Sequence, residues 1–106
     1  MWYVSGNNLQ MVEGDYGLAL PVTISGTTFA ASDEVLFTIK DAMNGTTILT
    51  KSYGNIQHNQ VSLELTEEES ALFPVGSYVY SLDWFQNGSF MCNIIPSATL
   101  KVVDKA

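Results

Sequence analysis

An all-β sandwich with one helical turn is the fold this chain predicts, on three observations. Short apolar runs alternate with polar residues at period two, as half-buried strands do. Gly, Asn, Asp and Pro punctuate those runs at intervals of about ten residues, the spacing of a sandwich or barrel. One stretch departs from this rhythm: Thr66 is followed three residues later by Glu69. That spacing is a capping box, so a short helical turn is predicted near residues 67–72. The 106 residues suffice for one domain, 1–106, with one core. A domain of this size buries roughly two-thirds of its unfolded surface and requires no disulfide.

The elements follow in order. Residues 1–4 are apolar and β-prone, and Gly6, Asn7 and Asn8 make a turn. Residues 9–12 form a short strand. Residues 17–25 place Leu18, Leu20, Val22 and Ile24 on one face, while Pro21 removes a backbone donor and marks an edge or a bulge. Residues 26–33 read as a loop. Residues 34–40 alternate with Val35, Phe37 and Ile39 inward. Asn44-Gly45 signals a hairpin to residues 46–53; a tight two-residue loop would pair Ile39 with Thr50, and a bulge at Gly45, the preferred register, pairs it with Leu49, apolar beside apolar. Residues 60–65 point Val61, Leu63 and Leu65 inward. After the helical turn, Pro74 and Gly76 stop the helix and turn the chain. A long strand then begins at Ser77, with Tyr78, Tyr80, Leu82 and Trp84 on one face. Asn87-Gly88 returns it through residues 90–95, Pro96 breaks that run, and residues 98–103 end the series. About seven or eight short antiparallel strands with one helical turn make an immunoglobulin-like sandwich.

The stretch from Thr66 to Tyr80 supports this. In immunoglobulin-like domains a tyrosine near the start of the sixth strand bonds its hydroxyl back to the preceding connection. Tyr78, after Gly76, occupies that place, and Tyr80 stands where an antibody domain carries its second cysteine. Thr66, Glu69, Gly76, Tyr78 and Tyr80 are therefore the expected structural corner.

Composition narrows the functions. The chain has eleven acidic residues against four lysines, a net charge of −7, which leaves no basic patch for nucleic acid. No apolar run reaches the ~18 residues of a membrane span. Cys92 is the one cysteine, which suits a reducing compartment, and the start of the chain lacks the pattern of a signal peptide. Synthesis in the cytoplasm is expected.

Candidate chemistry is sparse. His58 lies in a polar loop with no orienting partner in view, and a surface histidine is the plain reading. Cys92 sits in an apolar run and reads as a small buried hydrophobe rather than a nucleophile. Glu67, Glu68 and Glu69 are consecutive helical residues that diverge by about 100° each and do not converge on one ion. Asp15, Asp33, Glu34 and Asp41 lie near loop ends without a calcium-loop motif. Tyr78, Tyr80, Trp84, Phe85 and Phe90 could make a sugar platform if exposed and coplanar, but their alternation favours core packing for the first three. No catalytic, cofactor or metal site is expected.

Residues 33–40 (DEVLFTIK), 61–66 (VSLELT), 76–82 (GSYVYSL) and 99–102 (TLKV) stand in an order that resembles immunoglobulin-like domains of phages and prophages of Gram-positive bacteria. The amino-terminal domain of baseplate upper proteins is the nearest family. Glu13-Gly14-Asp15 matches the family's starting Gly-Asp, and Leu72 to Tyr80 is similar to its Leu-x-x-Gly-x-Tyr-x-Tyr pattern with one residue more. The chain departs from the family where Ser81 replaces an aspartate and where the segment after Asn87-Gly88 lacks a Thr-rich run. The resemblance implies a non-enzymatic, oligomeric virion part of tail or baseplate type, found in the virion and partnered by copies of itself or by other virion proteins. A carbohydrate-binding or adhesive sandwich is the second reading.

A tight Asn87-Gly88 turn also predicts a register: Phe85 opposite Phe90, Trp84 opposite Met91, Asp83 opposite Cys92 and Ser81 opposite Ile94. One face then carries Tyr80, Leu82, Trp84, Met91 and Ile95 into the core. The other sets Phe85, Phe90, Cys92 and Ile94 around Ser81 and Asp83, an apolar patch of the kind that marks a contact surface. Phe85, Phe90 and Ile94 are the candidate interface, unless residues 1–4 fold over that face.

Overall fold

The computed structural model describes residues 2–17, 19–26 and 29–104; Leu18 and two residues of the loop at 26–33 lie outside them. Among the described residues eight strands form: β1 (Tyr3–Ser5), β2 (Asn8–Val12), β3 (Leu20–Thr23), β4 (Asp33–Lys40), β5 (Thr47–Gly54), β6 (Gln60–Leu63), β7 (Gly76–Gln86) and β8 (Ser89–Val103). One helical turn, α1 (Glu67–Ser70), stands between β6 and β7. The larger sheet has the order β1-β2-β8-β7-β4-β5, and β3 pairs with β6 in a second sheet of two strands.

Strict alternation makes β4 the centre of the core. Its inward residues Val35, Phe37 and Ile39 are wholly shielded from solvent, and Glu34 between them and the loop is exposed. Tyr80 and Leu82 of β7, Leu100 and Val102 of β8, and Leu9 and Met11 of β2 extend this inner face. Val61 and Leu63 of β6, with Ile24, Leu65 and Phe73 from the connections, meet it from the other side. Burying each large apolar side chain contributes about 1.5–3 kcal/mol. Pro21 lies on β3, which among the described residues pairs with β6 alone and so is an edge strand, the place where a sheet tolerates proline.

Three expectations change. The strands are not all antiparallel: β2 runs parallel to β8, pairing Leu9 with Leu100 and Met11 with Val102. Side-chain period assigns faces but carries no signal for strand direction, which the crossing of the chain to β3 decides. Pro96 does not end a strand. Tyr80 pairs with Ala98 and Leu82 with Ile95, so Pro96 and Ser97 together face Ser81 alone, in a bulge where no ladder N–H is required.

The Asn44-Gly45 hairpin also closes differently. Ile39 does pair with Leu49, but the extra residue is Ile48 rather than Gly45. The loop is held by Asp41, whose N–H donates to the Thr46 carbonyl at 3.1 Å and whose Oδ1 accepts the Thr46 N–H at 2.8 Å. Asn44 takes the left-handed backbone (φ 60°). Gly45 serves a different purpose: a Cβ there would lie 2.0 Å from Asp41 Oδ1 and 2.9 Å from the Ala42 carbonyl.

Gly45→Ala is therefore expected to destabilise the protein by about 1–3 kcal/mol, the usual cost of overpacking. Gly54→Ala, where a Cβ meets nothing within 4 Å, is the matched control and should be near neutral. Urea denaturation of the two variants distinguishes this steric role from a general dislike of substitution in this hairpin.

Candidate functional site

The corner is built from the cap upward. Thr66 is the N-cap of α1: its Oγ1 accepts the Glu69 N–H at 3.2 Å, and Glu69 Oε1 accepts the Thr66 N–H at 2.8 Å. The same Glu69 oxygen receives Lys51 Nζ at 2.9 Å, and Lys51 also donates to the Glu64 carbonyl at 2.6 Å. Lys51 stands opposite Phe37, at an inward position of β5. Its ammonium thus ties an edge strand of the larger sheet to the connection leaving β6. A lysine inside the Leu49, Lys51, Tyr53 alternation was the signal for this bond, because an inward charge requires a partner. Burial pushes the Glu69 carboxyl up, but the Thr66 N–H and the Lys51 ammonium outweigh it and hold the group below its ordinary range.

After Ser70 the chain tightens. The Leu72 N–H donates to the Glu69 carbonyl and the Phe73 N–H to the Ser70 carbonyl, which drives Phe73 into the core. The Val75 N–H donates to Glu13 Oε2 at 3.3 Å. Tyr78, 9% exposed, donates its hydroxyl to the Pro74 carbonyl at 2.6 Å and packs edge-on to Phe73 with centroids 5.2 Å apart. Burial and then the Glu13 charge raise its phenol pKa. Gly76 does not turn the chain. It is already the first residue of β7, paired with Val102, and a Cβ there would meet only ordinary contacts near 3.8 Å. Residues 71–75 make the turn.

Tyr80 does more than fill space. It is 2% exposed, its ring lies edge-on to Phe37, and its hydroxyl donates to the Asn7 carbonyl in the β1–β2 turn. Burial pushes its phenol up as well. Nothing in the local sequence names that acceptor.

The far end of β7 carries the candidate interface. Asn87 and Gly88 both have positive φ, and Phe85 pairs with Phe90 across the turn. Their rings meet edge-on, centroids 5.6 Å apart, and Phe90 is 55% exposed. Beyond this pair the predicted register fails. Met91 and Ile94 are each an extra residue of a bulge, so Trp84 faces Cys92, Asp83 faces Asn93 and Leu82 faces Ile95. Ile94 is consequently half-buried against the core and leaves the interface, while Met91 is exposed and leaves the core. Cys92 is exposed rather than buried. The outer face next to the phenylalanines is polar, with Asn93 Nδ2 donating to Asp83 Oδ1. The apolar surface contracts to the hairpin tip: Phe85, Phe90 and Met91. Tyr3 and Val4 do not cover it, because β1 lies beyond β2 and β8 at an edge of the sheet; Trp2 packs against the core, and Met1 lies outside the described residues.

The remaining candidates have structural work. Asp33, buried, accepts the Ala30 N–H on Oδ2 at 2.8 Å and closes the loop before β4. Asp41 closes the next hairpin, and Glu34 accepts the Ser52 hydroxyl at 2.7 Å. His58 is exposed in a loop with left-handed backbone at Asn55, His58 and Asn59. Among the described residues no three His, Cys, Asp or Glu gather as metal ligands would. Trp84 is half-buried edge-on to Phe29. With Tyr78 and Tyr80 buried and the Phe85 and Phe90 rings 73° apart, the aromatics do not form a flat platform.

Two outcomes are expected. Tyr78→Phe should cost about 1 kcal/mol, one net hydrogen bond, and Tyr78→Ala about 3–5 kcal/mol through the cavity it leaves; melting equal to the parent in both would remove the corner from the account. Glu69 has its carboxyl lowered in the folded state, so the unfolded chain binds more protons in acid. Its contribution is full above the unfolded carboxyl value of about 4.3 and is lost as pH falls through the lower folded value. Urea titrations from pH 7 to pH 2 should therefore show a shallower acid loss for Glu69→Gln than for the parent, the two curves converging at the acid end.

Comparison with family models, with curated proteins and with solved structures gives no match, so the geometry of these residues is the guide to what they do.

Proposed function

We propose that this chain is a non-catalytic assembly module with an immunoglobulin-like sandwich fold, a prophage-encoded virion component of tail or baseplate type that acts through protein–protein contacts. The strand order supports the fold reading. β8, β7, β4 and β5 lie side by side as the G, F, C and C′ strands of a variable-type domain do, and β3 with β6 stand as B and E. The helical turn before β7 and the Tyr78 hydroxyl on the Pro74 carbonyl repeat the tyrosine corner at the E–F connection. The second sheet is reduced to two strands, a departure from the four of that fold.

One observation carries the functional reading: the exposed aromatic tip. The core is complete without Phe90 and Met91, which stand 55% and 45% exposed beside Phe85 at the end of the β7–β8 hairpin. Exposed aromatics and methionine are enriched where proteins meet. A neighbouring virion protein seated on this tip would bury them.

The test uses particles. After prophage induction in the source bacterium, the chain should co-sediment with phage particles in a density gradient. A Phe85→Ser/Phe90→Ser variant, folded by circular dichroism and expressed equally, should remain outside them. Equal incorporation of the variant would exclude the tip as the contact, and absence of the parent chain from particles would overturn the reading.

A further inference from the structure

We propose that Asn87 is a self-modifying site: the Gly88 backbone nitrogen displaces ammonia from the Asn87 side chain, and hydrolysis leaves an aspartyl or isoaspartyl residue at the tip of the β7–β8 hairpin. The only co-reactant is water. The Gly88 nitrogen gives up its proton and bonds to Asn87 Cγ. The side-chain nitrogen takes up a proton and leaves as ammonia, and a five-membered succinimide ring closes. Water then opens the ring at either carbonyl. Opening at Cγ restores the ordinary chain with an aspartate side chain. Opening at the backbone carbonyl carbon routes the chain through Cβ.

A glycine after asparagine favours this attack, because no side chain shields the attacking nitrogen. Two of the seven asparagines precede glycine, Asn44 and Asn87. Both are exposed with left-handed backbone, so neither feature separates them. Their glycines do. The Gly45 N–H donates to the Ala42 carbonyl at 2.9 Å, and Asp41 Oδ1 stands where a Gly45 Cβ would be. That bond must break before Gly45 attacks, and the carboxylate opposes the anion its nitrogen must become. Asp41 also ties the loop shut through Thr46. Gly88 has none of these restraints. Among the described residues its N–H has no acceptor, and nothing lies within 4 Å of the position a Cβ would take. The ladder beneath the turn is short as well. Two pairs, Gln86 with Ser89 and Phe85 with Phe90, precede the bulge at Met91, so the turn opens locally with little else disturbed.

Conversion alters the aromatic tip in two ways. It sets a carboxylate beside Phe85, Phe90 and Met91, on a chain whose net charge is already −7. The isoaspartyl form also lengthens the backbone within a two-residue turn, and the pairing of Phe85 with Phe90 depends on that length. The converted tip is a different contact surface, so the chain divides with age into two forms. The consequence for a particle rests on the assembly reading; the chemistry does not.

Peptide mass spectrometry of the whole native chain, aged at neutral pH, tests it. Asn87 should gain the mass of an amide-to-acid conversion about five- to tenfold faster than Asn44, the factor supplied by the hydrogen bond that Gly45 must break. In urea, where both loops are open, the two asparagines should convert at similar rates. Nuclear magnetic resonance of the aged chain supplies a second readout. The Phe85 and Phe90 ring signals should shift in the converted fraction, and those of the buried Phe37 and Phe73 should hold. A native chain in which Asn87 stays intact, or converts no faster than Asn44, overturns the proposal. So does a preference that persists unchanged in urea, or a converted fraction with the parent's Phe90 signals. All of these are read on the isolated chain, whereas absence of the parent from particles overturns the assembly reading alone.

Discussion

The inward face of β7 sets the terms for the rest of the molecule. Tyr78, Tyr80 and Leu82 are buried in sequence along one strand, and two of them bring hydroxyls into the core. A buried hydroxyl without a partner costs about 1–3 kcal/mol, so each phenol requires an acceptor that no strand ladder is already using. Both acceptors lie upstream in the chain, one close and one distant. Pro74 is four residues upstream of Tyr78, and Asn7 is seventy-three residues from Tyr80. One strand is thereby fastened to its own entry turn and to the β1–β2 hairpin. The β1–β2 turn is held close to β7 by a hydrogen bond, not only by the apolar contact of Leu9 and Met11.

Lys51 imposes a second constraint. An ammonium at an inward strand position must leave the apolar layer, and its flexible stem allows this. Lys51 reaches Glu69, which already closes the capping box with Thr66. One carboxylate therefore serves the helix cap, an ion pair and the junction between β5 and the β6–α1 connection. The pair is partly exposed, with side-chain accessibilities of 19% and 22%. Its electrostatic worth is modest in water, and its larger effect is on geometry.

The β7–β8 hairpin shows how small insertions redistribute function. Each bulge adds a residue to β8, and each one-residue slip moves the following side chains to the opposite face. Met91 and Ile94 exchange the environments that a regular ladder would assign them. Cys92, which a regular ladder sets opposite Asp83, stands opposite Trp84 and is exposed. Phe85 with Phe90, and Gln86 with Ser89 beside the turn, keep the pairing that turn geometry dictates. The aromatic surface is consequently confined to the tip, and Asp83 with Asn93 makes the outer face beside it polar.

Local chemistry was enough to determine where most of the strands lie, the Thr66 and Glu69 cap, the Asn87-Gly88 turn and the inward residues of β4 and β6. Each depends on residues within a few positions of one another, where period and capping geometry act directly. It also marked Tyr78, because the hydroxyl's acceptor lies within the same corner. Tertiary structure decided the parallel pairing of β2 with β8, the Tyr80 bond to Asn7, the Lys51 bridge and the bulges that returned Ile94 to the core. Those features join segments distant in the chain, or select among registers that differ by one residue. A period-two pattern holds no information about which neighbour a strand will meet or where a ladder will slip; the closest filling of one shared core settles both.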